Sequence, residues 1–510
     1  MVEHGVRPFF TADANEFRAL ANNLSRTSVT LITTVFGCLF FAIPLTANIY
    51  SPQIIENFWR GKTNRLVLGL YVFSAANSVW LTSVPASDGD IPSLHLAISF
   101  ALVMLSLVVL LPFLFSVFRL IDPESIIARV TANVVEVMRP RKDAVPYVPS
   151  DTASEPSNED AMDETTRGTR HRTGRIVLPS SASEAAPDVA LQERLERRIN
   201  ELGAVLLRTL ERGEREFAVD AVAGVVAAGR YWLQRKQFFG PELLLVDSRR
   251  LHGFSPGAIR LVNADRTWVD LMLMQQLSRG FSVALVRAPD VVSAIGRALR
   301  HYSIAAAEHR DEGTLRLALR FMNNAMRDAV KRLDVYAIYD LLFQWSELAA
   351  QLWPSRPAAV VEMLRRADQY GRRAADSDVV FAHALVAYDF GRVLVAADPT
   401  GAGYADLLRT YLSTGAGRPE GLHRLFVKAR LVTAARLAAH DRTKTAAILL
   451  TSLDAVPPEI FRSAADEILG TEDPWFWEVT DRQENLDWLA PEARAWLSRT
   501  VADRKAGRSS

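Results

Sequence analysis

Three windows without a charged side chain crowd the first 120 residues of this chain. They run 27–55, 66–87 and 91–118, which is 29, 22 and 28 residues. A helix needs about 20 mainly apolar residues to cross the hydrocarbon core of a bilayer. Three such windows so close together predict three spans, near 28–48, 66–84 and 93–118. A cleaved signal peptide would have a shorter apolar stretch nearer the start. Basic loops mark the cytoplasmic side. Arg60, Lys62 and Arg65 follow the first window, and Arg119, Arg129, Arg139, Arg141 and Lys142 follow the third. Asp88 and Asp90 in the middle loop have no basic companion. The expected topology therefore puts 49–65 and everything beyond 119 in the cytoplasm, and 85–92 outside. Trp59 and Trp80 then lie at opposite interfaces. Arg7, Arg18 and Arg26 in the N-terminal tail, 1–27, run against that orientation.

Beyond the third window the pattern changes. Asp122-Pro123-Glu124 starts a juxtamembrane helix over 121–142. Residues 143–188 hold Pro, Ser, Thr and acidic side chains with few large apolar ones, which predicts a disordered linker. Leu195, Ile199, Leu202, Leu206 and Leu210 recur at helical spacing, and a turn at Gly213 divides 189–250 into a helical hairpin. Glu211-Arg212, Glu214 and Asp220 recur as Lys331-Arg332, Asp334 and Asp340, and a fainter copy surrounds His440-Asp441. Helical hairpins stack to bury the stripes each leaves exposed. Short runs at 243–246, 258–262 and 282–287 read as strands, giving a small α/β module at 251–300 before a helical domain at 301–505. The fold class expected is thus an integral membrane, mainly α protein. Three transmembrane helices precede a cytoplasmic, hairpin-rich domain with a small strand-bearing module.

Ser51-Pro52-Gln53-Ile54-Ile55-Glu56-Asn57-Phe58, followed by Thr63-Asn64-Arg65-Leu66-Val67-Leu68-Gly69-Leu70, resembles a bacterial predicted-membrane-protein family, domain of unknown function 2254. Gly257-Ala258-Ile259-Arg260-Leu261-Val262 and Phe281-Ser282-Val283-Ala284-Leu285-Val286-Arg287 resemble that family's small strand-rich module. The likeness covers about 20–130 and 255–345. It implies membrane architecture and carries no settled activity. Family members usually have one more span upstream, and an N-terminus inside would account for the three arginines of the tail.

The chemistry-bearing motifs are few. Fifty-nine basic residues face 58 acidic ones, and only seven of the former are Lys, so nucleic acid is not an expected partner. One cysteine, Cys38, excludes an intrachain disulfide and a cysteine-based zinc cluster. Gly253-Phe254-Ser255-Pro256-Gly257 fits the nucleophile-elbow spelling. Pro256 has no N–H for an oxyanion, and a strand is expected after it where the elbow needs a helix. Gly401-Ala402-Gly403 and Gly415-Ala416-Gly417 lack dinucleotide spacing and read as turns. His309, in a charge run, reads as a solvated helix face. The aromatic run at 473–477 reads as a cap on the helical stack. No catalytic, cofactor or metal residues are assigned, and no enzyme is expected. In the second span Ser74, Asn77 and Ser78 are candidates for helix packing or for a polar path. No ionisable group lies deep in a span, which argues against a proton relay. The leading reading is a non-enzymatic membrane scaffold or regulator acting through its cytoplasmic helices. Its partners would be the bilayer and either another protein or a second copy. The alternative is an oligomeric channel or transporter subunit.

Overall fold

The computed structural model describes residues 14–49, 62–84, 93–140, 188–246, 250–251, 253–415, 420–475 and 485–505. The expected linker, 143–188, and the loop at 85–92 lie outside the described residues, apart from Asp188. The described residues cluster in two compact units, one within Met1–Asn133 and Asn200–Gly224, the other within Val134–Ile199 and Val225–Ser510.

In the first unit, α1 (Ala14–Ile49), α2 (Lys62–Thr82) and α3 (Ser93–Ile121) pack against one another, and α4 (Pro123–Val137) follows. Helix α1 begins well before the expected span. At 36 residues it is about 54 Å long, more than a bilayer core requires. Among the described residues, two stretches are long and apolar enough to cross a membrane, Asn15–Phe41 in α1 and Leu94–Phe115 in α3. Helix α2 does not join them on composition, so length and apolarity support two of the three expected spans. Its Lys62, Asn64, Arg65, Ser74, Asn77 and Ser78 dilute an otherwise apolar 21 residues. Pro112 sits inside α3.

The chain resumes with α5 (Val189–Arg212) and α6 (Arg215–Arg235), joined through Gly213. Short helices α7 (Pro241–Leu244) and α8 (Pro256–Ala264) lead into α9 (Trp268–Arg287). From there the second unit is a run of antiparallel hairpins. They are α10 (Val292–Glu308), α11 (Glu312–Arg332), α12 (Val335–Leu352), α13 (Pro357–Ala375), α14 (Val380–Ala396), α15 (Tyr404–Ser413) and α16 (Glu420–Ala439). Helices α17 (Thr443–Thr451), α18 (Pro458–Gly470) and α19 (Pro491–Lys505) complete it.

The hairpins form two layers. Helices α10, α12, α14, α16 and α18 each touch the next in one layer, and α9, α11, α13 and α15 do so in the other. Helix α14 lies between α12 and α16 of its own layer and against α13 and α15 of the other, so it buries residues 382–391 without a break. A helix buried all round has no polar face and little amphipathic period. Outer helices α11 and α13 keep the period, with Leu315, Ala318, Met322 and Ala325 inward on α11 and charged residues outward.

One turn recurs through the body. The backbone N–H of Glu214, Thr267, Asp311, Asp334, Val379 and Arg442 reaches back five residues to a helix carbonyl, at 2.9–3.2 Å. In each case the preceding residue is left-handed: Gly213, Arg266, Arg310, Leu333, Asp378 and Asp441. This is the Schellman closure, which satisfies the last carbonyls of a helix. Asp311 and Asp334 then cap the next helix through Thr314 N and Ala337 N. The recurrence seen in the sequence at 211–214, 331–334 and 440–441 is this turn.

The expected strand-bearing module is overturned. Residues 258–262 lie in α8 and 282–287 in α9, while 243–244 end α7, and no strand occurs among the described residues. Ser255 caps α8, its hydroxyl accepting from Ala258 N, and Pro256 opens the first turn. Short apolar runs fit a strand or a helix buried on several sides equally well. In 258–262 only Val262 is buried, and in 282–287 only Ala284 and Leu285 are, so the ambiguity lies in the shortness of the runs. The elbow motif is thus followed by a helix. Ser255 spends its oxygen on a cap, and Pro256 still offers no oxyanion donor.

Candidate functional site: buried polar junctions

The sequence candidates converge inside the first unit. Helix α2 turns Ser74 and Ser78 into the three-helix contact, where both are buried, and Asn77 sits beside them half-buried. Ser78 Oγ meets Ser28 Oγ of α1 at 2.9 Å. Asn77 Nδ2 donates to Ser99 Oγ of α3 at 2.6 Å, and the Tyr71 hydroxyl donates to the Ser106 carbonyl at 3.0 Å. The two α2–α3 bonds fix those helices as antiparallel neighbours. Ser74 Oγ and Ser106 Oγ are buried without a hydrogen-bond partner among the described residues. Around this seam the outward side chains are apolar: Phe73 of α2 is 62 % exposed, Phe41 of α1 84 % and Val108 of α3 70 %. The contact also buries Val35, Leu68, Leu81 and Val103, so apolar side chains lie on both faces and the few polar groups are held inside, the arrangement a hydrocarbon solvent favours. The Trp80 and His95 rings meet at a tilt of 57°, centroids 5.6 Å apart, near the α2–α3 connection.

That apolar outer surface, in the stretch with the charge-free windows, is met by a family match. Residues 2–180 match the family described as Predicted membrane protein (DUF2254). The match agrees with the resemblance carried by 51–58 and 63–70. It stops short of 255–345, where the helical α8 and α9 replace the strands that the resemblance implied. No curated protein matches the chain, and no solved structure does.

The second unit holds a junction that the sequence did not reveal. Lys236, just past α6, donates to Asp270 Oδ2 of α9 at 3.0 Å, to Asp311 Oδ2 at 2.6 Å and to Thr314 Oγ1 at 3.0 Å. Asp270 also accepts from Trp232 Nε1 at 3.3 Å and from the Tyr302 hydroxyl at 2.8 Å. The three protons of the ammonium therefore have three acceptors, and Asp270 has three donors. Burial works to lower the Lys236 ammonium, but Asp270 and Asp311 outweigh it and hold the value above the ordinary one. Burial raises the Asp270 carboxyl, against the opposing pull of Lys236. It also drives the Tyr302 hydroxyl well above its ordinary value, helped by Asp270. A lysine locked as the ammonium has no lone pair with which to attack. The junction ties α6, α9, α10 and α11 together.

A cleft of about 350 Å³ opens beside it, lined by Gln234, Gln237, Arg266, His309, Arg310 and Glu312 among others. Its acids already have partners: Asp265 pairs with Arg316 at 2.8 Å, and Glu312 pairs with Arg356. His309 is exposed at the end of α10, and no group of His, Cys, Asp and Glu suited to a metal occurs among the described residues.

Lys428 repeats the theme, pairing with Glu467 at 3.1 Å and with Asp487, which also accepts from the Tyr388 hydroxyl at 2.7 Å. Two of only seven lysines are thus held between carboxylates, Lys428 buried and Lys236 partly buried. Lysine is a compact charge with three donors, where arginine offers a planar fork. Lysine's rarity was the signal available in the sequence, together with Asp270 interrupting an apolar run. Gly403 is left-handed at the start of α15, and Gly415 is left-handed after its end. Trp475 is exposed, and the rest of its aromatic run lies outside the described residues.

Proposed function

We propose that this is a multi-pass membrane protein in which α1, α2 and α3 all span the bilayer. Its helical body acts on the cytoplasmic side as a non-enzymatic scaffold or regulator, through contacts with other proteins. The observation that carries the reading is the apolar outer face of α2. Leu66, Val72, Phe73 and Val79 point outward, while Ser74 and Ser78 are buried together with Leu68, Tyr71 and Leu81. A helix with that orientation is explained by lipid around it, even though its composition is diluted. The polar groups of the seam bond across helices, which supports packing as their role. Loop charges support the body's position in the cytoplasm. Stacked hairpins offer the extended surfaces that suit protein contacts, and the full occupancy of Lys236 favours a structural role over a chemical one.

The alternative, an oligomeric channel or transporter subunit, draws on the unpartnered hydroxyls of Ser74 and Ser106. Hydroxyls without partners would suit a wet path. Purified protein in detergent and in liposomes tests the choice. The scaffold reading expects liposomes that stay tight to ions whatever the oligomeric state. A symmetric ring that conducts would overturn it.

A further inference from the structure

The two edges of the hairpin stack differ in chemistry. The turns after α9, α11 and α13 lie side by side, because Ser293 Oγ meets the Tyr336 hydroxyl at 3.0 Å and the Tyr339 and Phe381 rings touch at 6.0 Å. At this edge Val286, Leu333, Val335, Tyr336 and Val380 are all exposed. At the opposite edge, among the described residues of turns 309–311, 353–356, 397–403 and 440–442, no large apolar side chain is exposed. Packing does not require this asymmetry, since the same turn geometry is closed elsewhere by Gly213, Asp378 and Asp441.

Leu333 is the sharpest case. It is left-handed, with φ 54°, and 45 % exposed. A γ-branched residue is disfavoured there, and its side chain gains little from burial in return. Exposed apolar tips grouped in this way mark a contact surface.

We infer that this edge rests on the surface of the bilayer, its apolar tips dipping among the headgroups. The inference rests on the membrane reading above. A chain held in a bilayer by its own helices has that surface as its most concentrated neighbour. Exposed Arg287, Lys331, Arg332 and Arg373 stand at the same three turns, within reach of headgroup phosphates. Asp290, Asp334, Asp376 and Asp378 share the edge and balance those four cations, so the apolar tips carry the contact.

The test uses the full chain, with Cys38→Ser and a single environment-sensitive label at Val335→Cys. The chain is reconstituted one copy per nanodisc with phosphatidylcholine carrying a shallow nitroxide quencher. Quenching should exceed that of a label at His440→Cys, on the opposite edge, by about threefold. Leu333→Asp keeps the turn, as Asp378 and Asp441 do, and should cut the quenching about in half. Equal quenching at both edges would overturn the proposal. So would quenching that appears only when two copies share a disc, because that result assigns the edge to a second copy. Resistance to carbonate extraction, measured on the same sample, tests the membrane reading separately.

Discussion

Gly229 of α6 lies against the ring of Tyr302, so close that a Cβ there would overlap Cε2. The contact sets the ring that donates to Asp270. Gly229→Ala should push that ring aside and cost about 1–3 kcal/mol through overpacking. Denaturant unfolding of the purified protein, followed by tryptophan fluorescence, is the measurement. An unchanged midpoint would show that the ring can move freely.

Lys236 should matter more. Lys236→Met leaves Asp270 and Asp311 without their cation, and breaking a buried pair costs about 3–5 kcal/mol. The pH dependence follows from the raised value of the ammonium. Its contribution is fully present below the ordinary lysine value, about 10.4, and is lost as pH rises through the folded one. Alkaline unfolding of the wild type should therefore be steeper than that of Lys236→Met.

Asp368 gives the opposite limb. Burial would raise its carboxyl, but the hydrogen bond from His383 at 2.7 Å and the pairing with Arg372 at 2.9 Å outweigh it, and the value is lowered. Its stabilisation is present above the ordinary aspartate value, about 3.9, and is lost as pH falls through the lower folded one. Asp368→Asn should flatten the acid limb of a stability curve. An unchanged slope below about pH 4 would count against the pairing.

Leu333→Gly should stabilise the body by about 1 kcal/mol, because glycine adopts the left-handed turn without the steric penalty that leucine meets. Loss of stability in thermal unfolding would mean that the exposed leucine is held by contacts of its own.

How far the sequence could be read depended on period and spacing. The charge-free windows located α1, α2 and α3 because length and apolarity are properties of a single segment. The turns at Gly213 and Leu333 were legible from the residues that flank them. The runs at 258–262 and 282–287 are helical, because runs of five and six residues carry too little period to separate a strand from a helix. Lys236, Asp270, Tyr302 and Asp311 are brought together from four separate helices, and no local pattern encodes that meeting. For Ser74, Asn77 and Ser78 the spacing gave the shared face, and the structure supplied Ser28 and Ser99 as the groups they approach.

The most direct test of the account lies in the Asn77–Ser99 pair. Asn77→Leu, Ser99→Ala and the double variant, unfolded reversibly from bicelles, should give a coupling of about 0.6–2 kcal/mol, the range of such bonds in membranes. Liposomes carrying wild type and each variant should remain equally tight to ions. Wild-type protein that conducts, and an Asn77→Leu variant that is equally stable but no longer conducts, would contradict the packing role and the scaffold built on it.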